Sequence, residues 1–306
     1  MSLSDDLRDE LAAIAPRSDC DALAELSGIF HTAGSVHLLG RGEVSVHLDL
    51  ASSAAARRAF SLLRSRGITS EIRTYKRRAF DRATRYQLHV AGEARALQTL
   101  YEAGVLTRTL APLEHPPRRV IARSCCRSAY LRGAILGGGS LSGPRAPHLE
   151  LRAASAAGAR FVANLVTRDG ARLTVLDRGR HAVAYAKGVE AIGDVLAVAG
   201  ASRTVLAFEE AAVVAATRAR ANRLANADHA NLVRTSRAAH EQLRAIDELR
   251  RTGALGALPP ALREIAELRR RNPTMSLAEL ARQCERPATK AAAHRRLRQL
   301  RRLAGL

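Results

Sequence analysis

Residues 26–35 read Leu-Ser-Gly-Ile-Phe-His-Thr-Ala-Gly-Ser, and residues 131–140 read Leu-Arg-Gly-Ala-Ile-Leu-Gly-Gly-Gly-Ser. A Leu, two Gly and a Ser recur at the same spacing in both stretches, at an offset of 105 residues. Three matched blocks in the same order indicate an internal duplication rather than coincidence. The other two blocks pair His-Leu-Asp-Leu at 47–50 with His-Leu-Glu-Leu at 148–151, and the segment 92–104 with 188–200.

Within each half, short strand-like runs alternate with segments of helical length. Residues 44–50 alternate apolar and polar side chains like a half-buried strand, and residues 54–66 have the spacing of an amphipathic helix that ends at Gly67. Residues 70–75 and 86–90 predict further strands, before a helix at about 93–103. The pattern predicts the fold class α+β, as a duplicated αββαββα domain with pseudo-twofold symmetry.

The duplication and the breaks between segments predict the domain organisation. Pro112, Pro116 and Pro117 form a linker between the halves, and the stretch 205–251 lacks Pro and Gly and therefore predicts long helices. We assign a first half at 1–111, a second half at 118–203, connecting helices at 204–256 and an all-α domain at 257–306.

The charge of the chain points to a polyanionic partner. It has 306 residues, a formal charge of +20 and a pI near 11.3, and only 3% of its residues are aromatic, with no Trp. Because single-strand binders stack bases on aromatic side chains, this composition favours double-stranded DNA.

Other classes of protein and site are disfavoured. The acidic start and the lack of a long apolar run predict a cytoplasmic protein with no membrane partner. The four cysteines form no CxxC pair, so we expect reduced structural thiols, no metal and no cofactor.

The basic excess is concentrated at the end of the chain, where the sequence predicts a helix-turn-helix. Residues 250–306 hold 14 Lys and Arg against 4 Asp and Glu, a net charge of +10. Ser276 and Glu279 form a capping-box pattern that starts a helix of about eight residues, and Pro287 prevents its continuation. Thr289 then caps a helix that runs toward Leu303, and residues 262–271 predict a supporting helix.

One face of the last predicted helix is basic. Ala293, Leu297, Leu300 and Ala304 have the spacing of a core-facing stripe. Residues near the start of a recognition helix usually meet base edges, and later ones suit phosphates. A merely solvated charged face is the alternative. The predicted DNA-binding residues are Lys290, His294, Arg295, Arg298, Arg301 and Arg302, with Ser276 and Thr289.

The connecting helices carry a second, weaker set of candidate DNA contacts. Asn pairs well with adenine in the major groove, but Asn at helix interfaces more often satisfies buried polar groups, and we favour that structural role. The set consists of Arg220, Asn222, Arg223, Asn226 and Arg234.

The repeated Leu-x-Gly motif resembles the two motif helices of LAGLIDADG homing endonucleases. The resemblance implies that Gly28 and Gly133 allow the two helices to pack closely. In those enzymes the eighth motif position is an acid that binds the catalytic metal, and here these positions are Ala33 and Gly138. Because neither side chain can hold a cation, we expect a scaffold without nuclease activity.

Two alternatives to that interpretation stay open. An active divalent-metal nuclease could use other acids, such as Asp49 or Glu150 in the His-Leu-Asp/Glu-Leu blocks. Alternatively, the chain could be a protein-interaction scaffold whose charge keeps it at the nucleoid.

The degenerate motifs followed by a basic helical tail resemble the WhiA family of bacterial regulators. The similar stretches are 130–134, 138–140, 222–232 and 258–280, and the likeness covers nearly the whole chain. It implies a nucleoid-associated transcriptional regulator linked to cell division, chromosome segregation and sporulation. It is also compatible with a protein partner that binds the LAGLIDADG-like domain. His294 and the pair Ala291-Ala292 depart from the family pattern on the reading face, which leaves the preferred DNA sequence open.

Overall fold

The computed structural model describes residues 2–40, 43–76 and 83–306. The chain divides into two compact units, Met1–Ala216 and Thr217–Leu306. Each unit is described by itself below.

The first unit contains the two predicted αββαββα halves. The first half consists of α2 (Asp19–Ala33), β1 (Gly34–Gly40), β2 (Glu43–Leu50), α3 (Ser53–Ser65), β3 (Ser70–Lys76), β4 (Thr84–Ala91) and α4 (Ala94–Glu102). The second half consists of α5 (Ser124–Gly138), β5 (Gly139–Ser142), β6 (His148–Ala153), α6 (Ala156–Thr167), β7 (Thr174–Asp177), β8 (Ala182–Lys187) and α7 (Val189–Ala199). The α+β class and the duplication are therefore confirmed.

Each half forms its own four-stranded sheet, and the two sheets have the same topology. The strand orders are β1-β2-β4-β3 and β5-β6-β8-β7, and every neighbouring pair is antiparallel. Alternation along β2 explains its orientation, because Val46, Leu48 and Leu50 are buried while His47 and Asp49, which alternate with them, are partly exposed. Each sheet thus has one face in the core and one polar face.

The motif helices α2 and α5 pack against each other with almost no space between their backbones. A Cβ atom on Gly28 would lie 2.2 Å from the Tyr130 carbonyl oxygen, and one on Gly133 would lie 2.1 Å from the Glu25 carbonyl oxygen. Tyr130 and Glu25 are themselves 105 residues apart, so the two contacts are related by the duplication. Any larger residue at either glycine would push the helices apart.

A buried ion cluster lies at the same helix contact. Glu25 is fully buried, and its carboxylate accepts hydrogen bonds from Arg58 of α3 at 2.6 and 2.9 Å and from Arg132 of α5 at 3.2 Å. A buried carboxylate is tolerated only when it is paired in this way, so the cluster fixes α2, α3 and α5 relative to one another.

Two further helices differ from the predicted pattern. An extra helix, α1 (Leu3–Ala13), precedes the first half, and the segment predicted as several connecting helices is a single one, α8 (Ser202–Arg251). The Glu10 carboxylate of α1 accepts from the backbone amides of Arg203 and Thr204 at 2.8 and 2.7 Å. Glu10 thereby satisfies the free amides at the start of α8, which lies in the first unit, and connects this end of the helix to α1.

A partly buried histidine, His31, lies in the last turn of α2. His31 Nδ1 donates to the Ser27 carbonyl oxygen at 2.8 Å, and its Nε2 atom is inaccessible to solvent. Burial lowers the pKa of His31 to about 4. The equivalent residue of the second half, 105 residues further on, is Leu136, which is fully buried.

Gly133→Ala should destabilise the first unit by about 1–3 kcal/mol, because the new methyl group meets backbone atoms that cannot move independently. Gly193→Ala is a matched control on α7, since a Cβ there would make only ordinary van der Waals contacts, the shortest being 3.7 Å. Chemical denaturation of both variants measures the difference. Equal stabilities would show that the glycine contact does not limit the packing.

The partly buried His31 should make folding less favourable in acid. The unfolded chain binds a proton at the ordinary histidine pKa, whereas the folded chain does so only near pH 4, so stability falls between these two values. Relative to His31→Leu, the natural chain should lose about 2 kcal/mol between about pH 7 and pH 5. Urea denaturation at both pH values tests this, and parallel pH profiles for the two proteins would contradict it.

Candidate nucleic-acid interface

The second unit contains the predicted helix-turn-helix. After α8 the chain forms α9 (Pro260–Arg271), α10 (Leu277–Arg282) and α11 (Lys290–Leu303). Its core is built from apolar residues of these three helices and from Ile246 and Leu249 near the end of α8. Ala293, Leu297 and Leu300 of α11 are buried in this core, and Ala304 packs against it.

Both predicted helix caps are formed. The Ser276 hydroxyl accepts from the Glu279 amide at 3.3 Å, and the Glu279 carboxylate accepts from the Ser276 amide at 2.9 Å. The Thr289 hydroxyl accepts from the Ala292 amide at 3.2 Å. These two hydroxyls therefore set where α10 and α11 begin, which is a positioning role beside any contact with DNA.

A buried arginine that the sequence did not single out holds the segment before α10. Arg269 is only 2% exposed, and it donates to the carbonyl oxygens of Pro273 and Met275 at 3.2 and 2.6 Å. Burial lowers the pKa of its guanidinium. The sequence does not distinguish Arg269 from the exposed Arg270 and Arg271 that follow it, so its burial could not be predicted.

Most of the predicted reading face of α11 is free. Lys290, His294, Arg295, Arg298 and Arg302 are all exposed. Within the described ranges, no carboxylate lies within 4.0 Å of the charged groups of these five residues. A surface of this kind, with one sign of charge and no internal partners, attracts phosphates.

Arg301 differs from the other predicted contacts. It is half-buried, and its guanidinium lies 2.9 Å from the Glu241 carboxylate of α8. Residue 301 lies at the border between the core stripe and the basic face of α11, which explains its inward direction. It anchors α11 to α8 and does not belong to the free face.

The candidate contacts in the connecting segment all lie on α8. All five are exposed: Arg220, Asn222, Arg223, Asn226 and Arg234. The prediction of a buried structural role for the two asparagines is therefore wrong. Arg234 donates to the Asn231 side chain and to the Ala230 carbonyl oxygen.

The positions of the endonuclease acids lie at the carboxyl ends of α2 and α5. Ala33 is the last residue of α2, and Gly138 is the last residue of α5. A Cβ atom on Gly138 would lie 2.8 Å from the Arg152 carbonyl oxygen and 3.1 Å from Thr32 Cβ. The second half therefore lacks both the acid and the space for one.

The two alternative acids are each held by neighbours on the sheets. Asp49 accepts from the Tyr75 hydroxyl at 2.6 Å, and Arg85 lies 3.6 Å away. Glu150 lies 3.3 Å from His148 Nε2 and 3.5 Å from Arg178. Within the described ranges, neither acid belongs to a cluster of three or more metal-binding side chains.

No helix in the described parts of the chain combines the length and the apolar character that crossing a membrane requires.

Together the two units define a class of protein, in which a LAGLIDADG-like domain is joined to a helix-turn-helix domain. Family models agree with both parts. Residues 19–106 match the WhiA N-terminal LAGLIDADG-like domain, residues 127–218 match the WhiA LAGLIDADG-like domain, and residues 221–304 match the WhiA C-terminal HTH domain.

Full-length relatives indicate the same family. The chain is 34% identical to the probable cell division protein WhiA of Heliobacterium modesticaldum, over 99% of this chain and 96% of that one. It is 32% identical to the protein of the same name from Symbiobacterium thermophilum, over 99% and 98% of the two chains. The chain therefore belongs to the WhiA family.

A solved structure has the same fold. The full-length WhiA structure from Thermatoga maritima matches 100% of this chain with a TM-score of 0.57 and 23% sequence identity, and 98% of that chain is covered.

Arg298→Ala and Arg301→Ala should affect DNA binding differently. If Arg298 neutralises one phosphate, its removal should reduce the slope of log affinity against log salt by about 0.9 on a mixed-sequence duplex. Arg301→Ala should change that slope less, because its charge is already paired. Fluorescence anisotropy at several salt concentrations measures both.

Arg160→Ala serves as the control, since it removes an exposed arginine from α6 in the other unit. Equal slope changes for Arg298→Ala and Arg301→Ala would contradict the assignment of Arg301.

Proposed function

We propose that this chain is a sequence-specific, double-stranded DNA-binding transcriptional regulator that acts in cell division, chromosome segregation and sporulation. The free basic face of α11 carries this proposal. Lys290 and His294 lie in its first two turns, where a recognition helix meets base edges, and Arg298 and Arg302 follow where phosphates are contacted. The name of the relatives, probable cell division protein, supports the link to cell division.

In this proposal the LAGLIDADG-like domain has no nuclease activity. Hydrolysis of a phosphodiester by metal ions needs carboxylates at the helix ends, and Ala33 and Gly138 supply none. The crowding around Gly138 supports the same conclusion, because an acid could not be restored there without moving Arg152. The protein would accordingly be found with the nucleoid, bound to intact DNA.

Genome-wide binding followed by gel shifts on a recovered site tests sequence specificity. We expect at least about a thousand-fold preference for that site over mixed-sequence DNA, and expect Lys290→Ala with His294→Ala to reduce the preference more than the non-specific affinity. Equal affinity for both duplexes would refute a sequence-specific regulator.

Incubation of supercoiled plasmid with the protein and Mg²⁺ or Mn²⁺ tests the loss of nuclease activity. We expect the plasmid to stay supercoiled. Strand breaks that persist in repurified protein and disappear in Asp49→Asn or Glu150→Gln would establish a nuclease instead.

A further inference from the structure

Three cysteines and an aspartate that are far apart in the sequence meet at one end of the motif helices. Cys20 and Asp21 lie in the first turn of α2, and Cys125 and Cys126 lie in the first turn of α5. The three Sγ atoms and a carboxylate oxygen all lie within 4.8 Å of one another. We call these four residues the thiol cluster.

The spacing within the thiol cluster is close to that of a metal site. Cys125 Sγ and Cys126 Sγ are 4.0 Å apart, and Cys20 Sγ is 4.0 Å from Asp21 Oδ1. In a tetrahedral zinc site with Zn–S bonds of about 2.3 Å, the sulfurs are about 3.8 Å apart. Small side-chain movements would therefore bring all four atoms to bonding distance of one ion.

Asp21 gives an independent reason to expect a cation. The residue is only 5% exposed, and within the described ranges no Lys, Arg or His nitrogen lies within 4.0 Å of its carboxylate. Glu25, one turn further along the same helix, shows the contrast, because two arginines pair with it. A buried carboxylate without a cation is costly, and a bound divalent ion would supply the missing positive charge.

The helices themselves favour anionic ligands here. The amino ends of α2 and α5 both point toward the thiol cluster, and a helix amino end stabilises thiolates and carboxylates. Thiolate-rich sites select zinc over magnesium or calcium, which prefer oxygen ligands.

We propose that Cys20, Asp21, Cys125 and Cys126 form a structural Zn²⁺ site that joins the amino ends of the two motif helices. On binding, the three thiols release their protons to solvent and become thiolate ligands. The site lies at the opposite ends of α2 and α5 from the positions of the endonuclease acids. With 15 residues in each helix, the two ends are about 20 Å apart. This is therefore a different site from the one that the endonuclease motif uses.

Metal analysis of the untagged full-length chain tests the proposal. After saturation with Zn²⁺ and gel filtration, we expect about one zinc per chain, and expect a chelator to lower the thermal midpoint. With Co²⁺ in place of zinc, thiolate ligation should produce a sulfur-to-metal charge-transfer band and strong visible absorption. Substoichiometric zinc in the natural chain, or a disulfide among these cysteines in freshly purified protein under reducing conditions, would overturn the proposal.

The chain offers a matched set of variants. Cys20→Ser and Cys125→Ser should lose the ion, and Asp21→Asn should hold it more weakly against a chromophoric chelator. Cys284→Ser removes the one cysteine outside the thiol cluster, which lies in the core of the second unit, and should bind zinc like the natural chain. Cys125→His replaces an exposed ligand by another zinc ligand and should retain the ion.

Circular dichroism of each variant separates loss of the ion from loss of the fold. Zinc loss in a folded Cys125→Ser, with retention in Cys125→His, supports the site. Equal zinc content in all variants, or equal loss in Cys284→Ser, would contradict it.

Discussion

The close approach of α2 and α5 is the constraint on which the LAGLIDADG-like domain depends. Gly28 and Gly133 let each helix touch the other's carbonyl oxygens, and the buried Glu25 pairs with arginines of α3 and α5 at the same contact. Because each helix leads directly into the first strand of its sheet, the helix contact also sets the relation between the two sheets. A duplicated chain can be joined in this way only where neither partner has a side chain at the crossing point.

That helix pair has two ends with different chemistry. At the carboxyl ends, Ala33 and Gly138 leave no acid to hold a catalytic cation, and the backbone of Arg152 fills the space beside Gly138. At the amino ends, the thiol cluster gathers four potential ligands for a structural ion. The proposed structural metal therefore lies at the opposite end of the helix pair from these two positions.

The sequence predicts those features that local pattern and repetition control. Alternation along β2, the caps at Ser276 and Thr289 and the repeated glycines depend on neighbouring residues or on the offset of 105, and they could be read directly. The ion pair of Arg301 could not be predicted in this way, because its partner Glu241 lies on another helix. Local cysteine spacing does not indicate the thiol cluster either, because its members come from two helices; only the offset of 105, which pairs Cys20 with Cys125 and Asp21 with Cys126, relates them.

The proposed DNA binding depends on the second unit, where buried residues of α9, α10 and α11 hold a basic helix face outward. In the proposed function, α11 enters the major groove of double-stranded DNA. Methylation protection of guanine N7 tests it most directly, because this atom is reached only from that groove. On a selected site we predict protected guanines in the natural chain and restored reactivity with Arg295→Ala and Arg298→Ala together. Unchanged N7 reactivity under saturating natural protein would contradict the account.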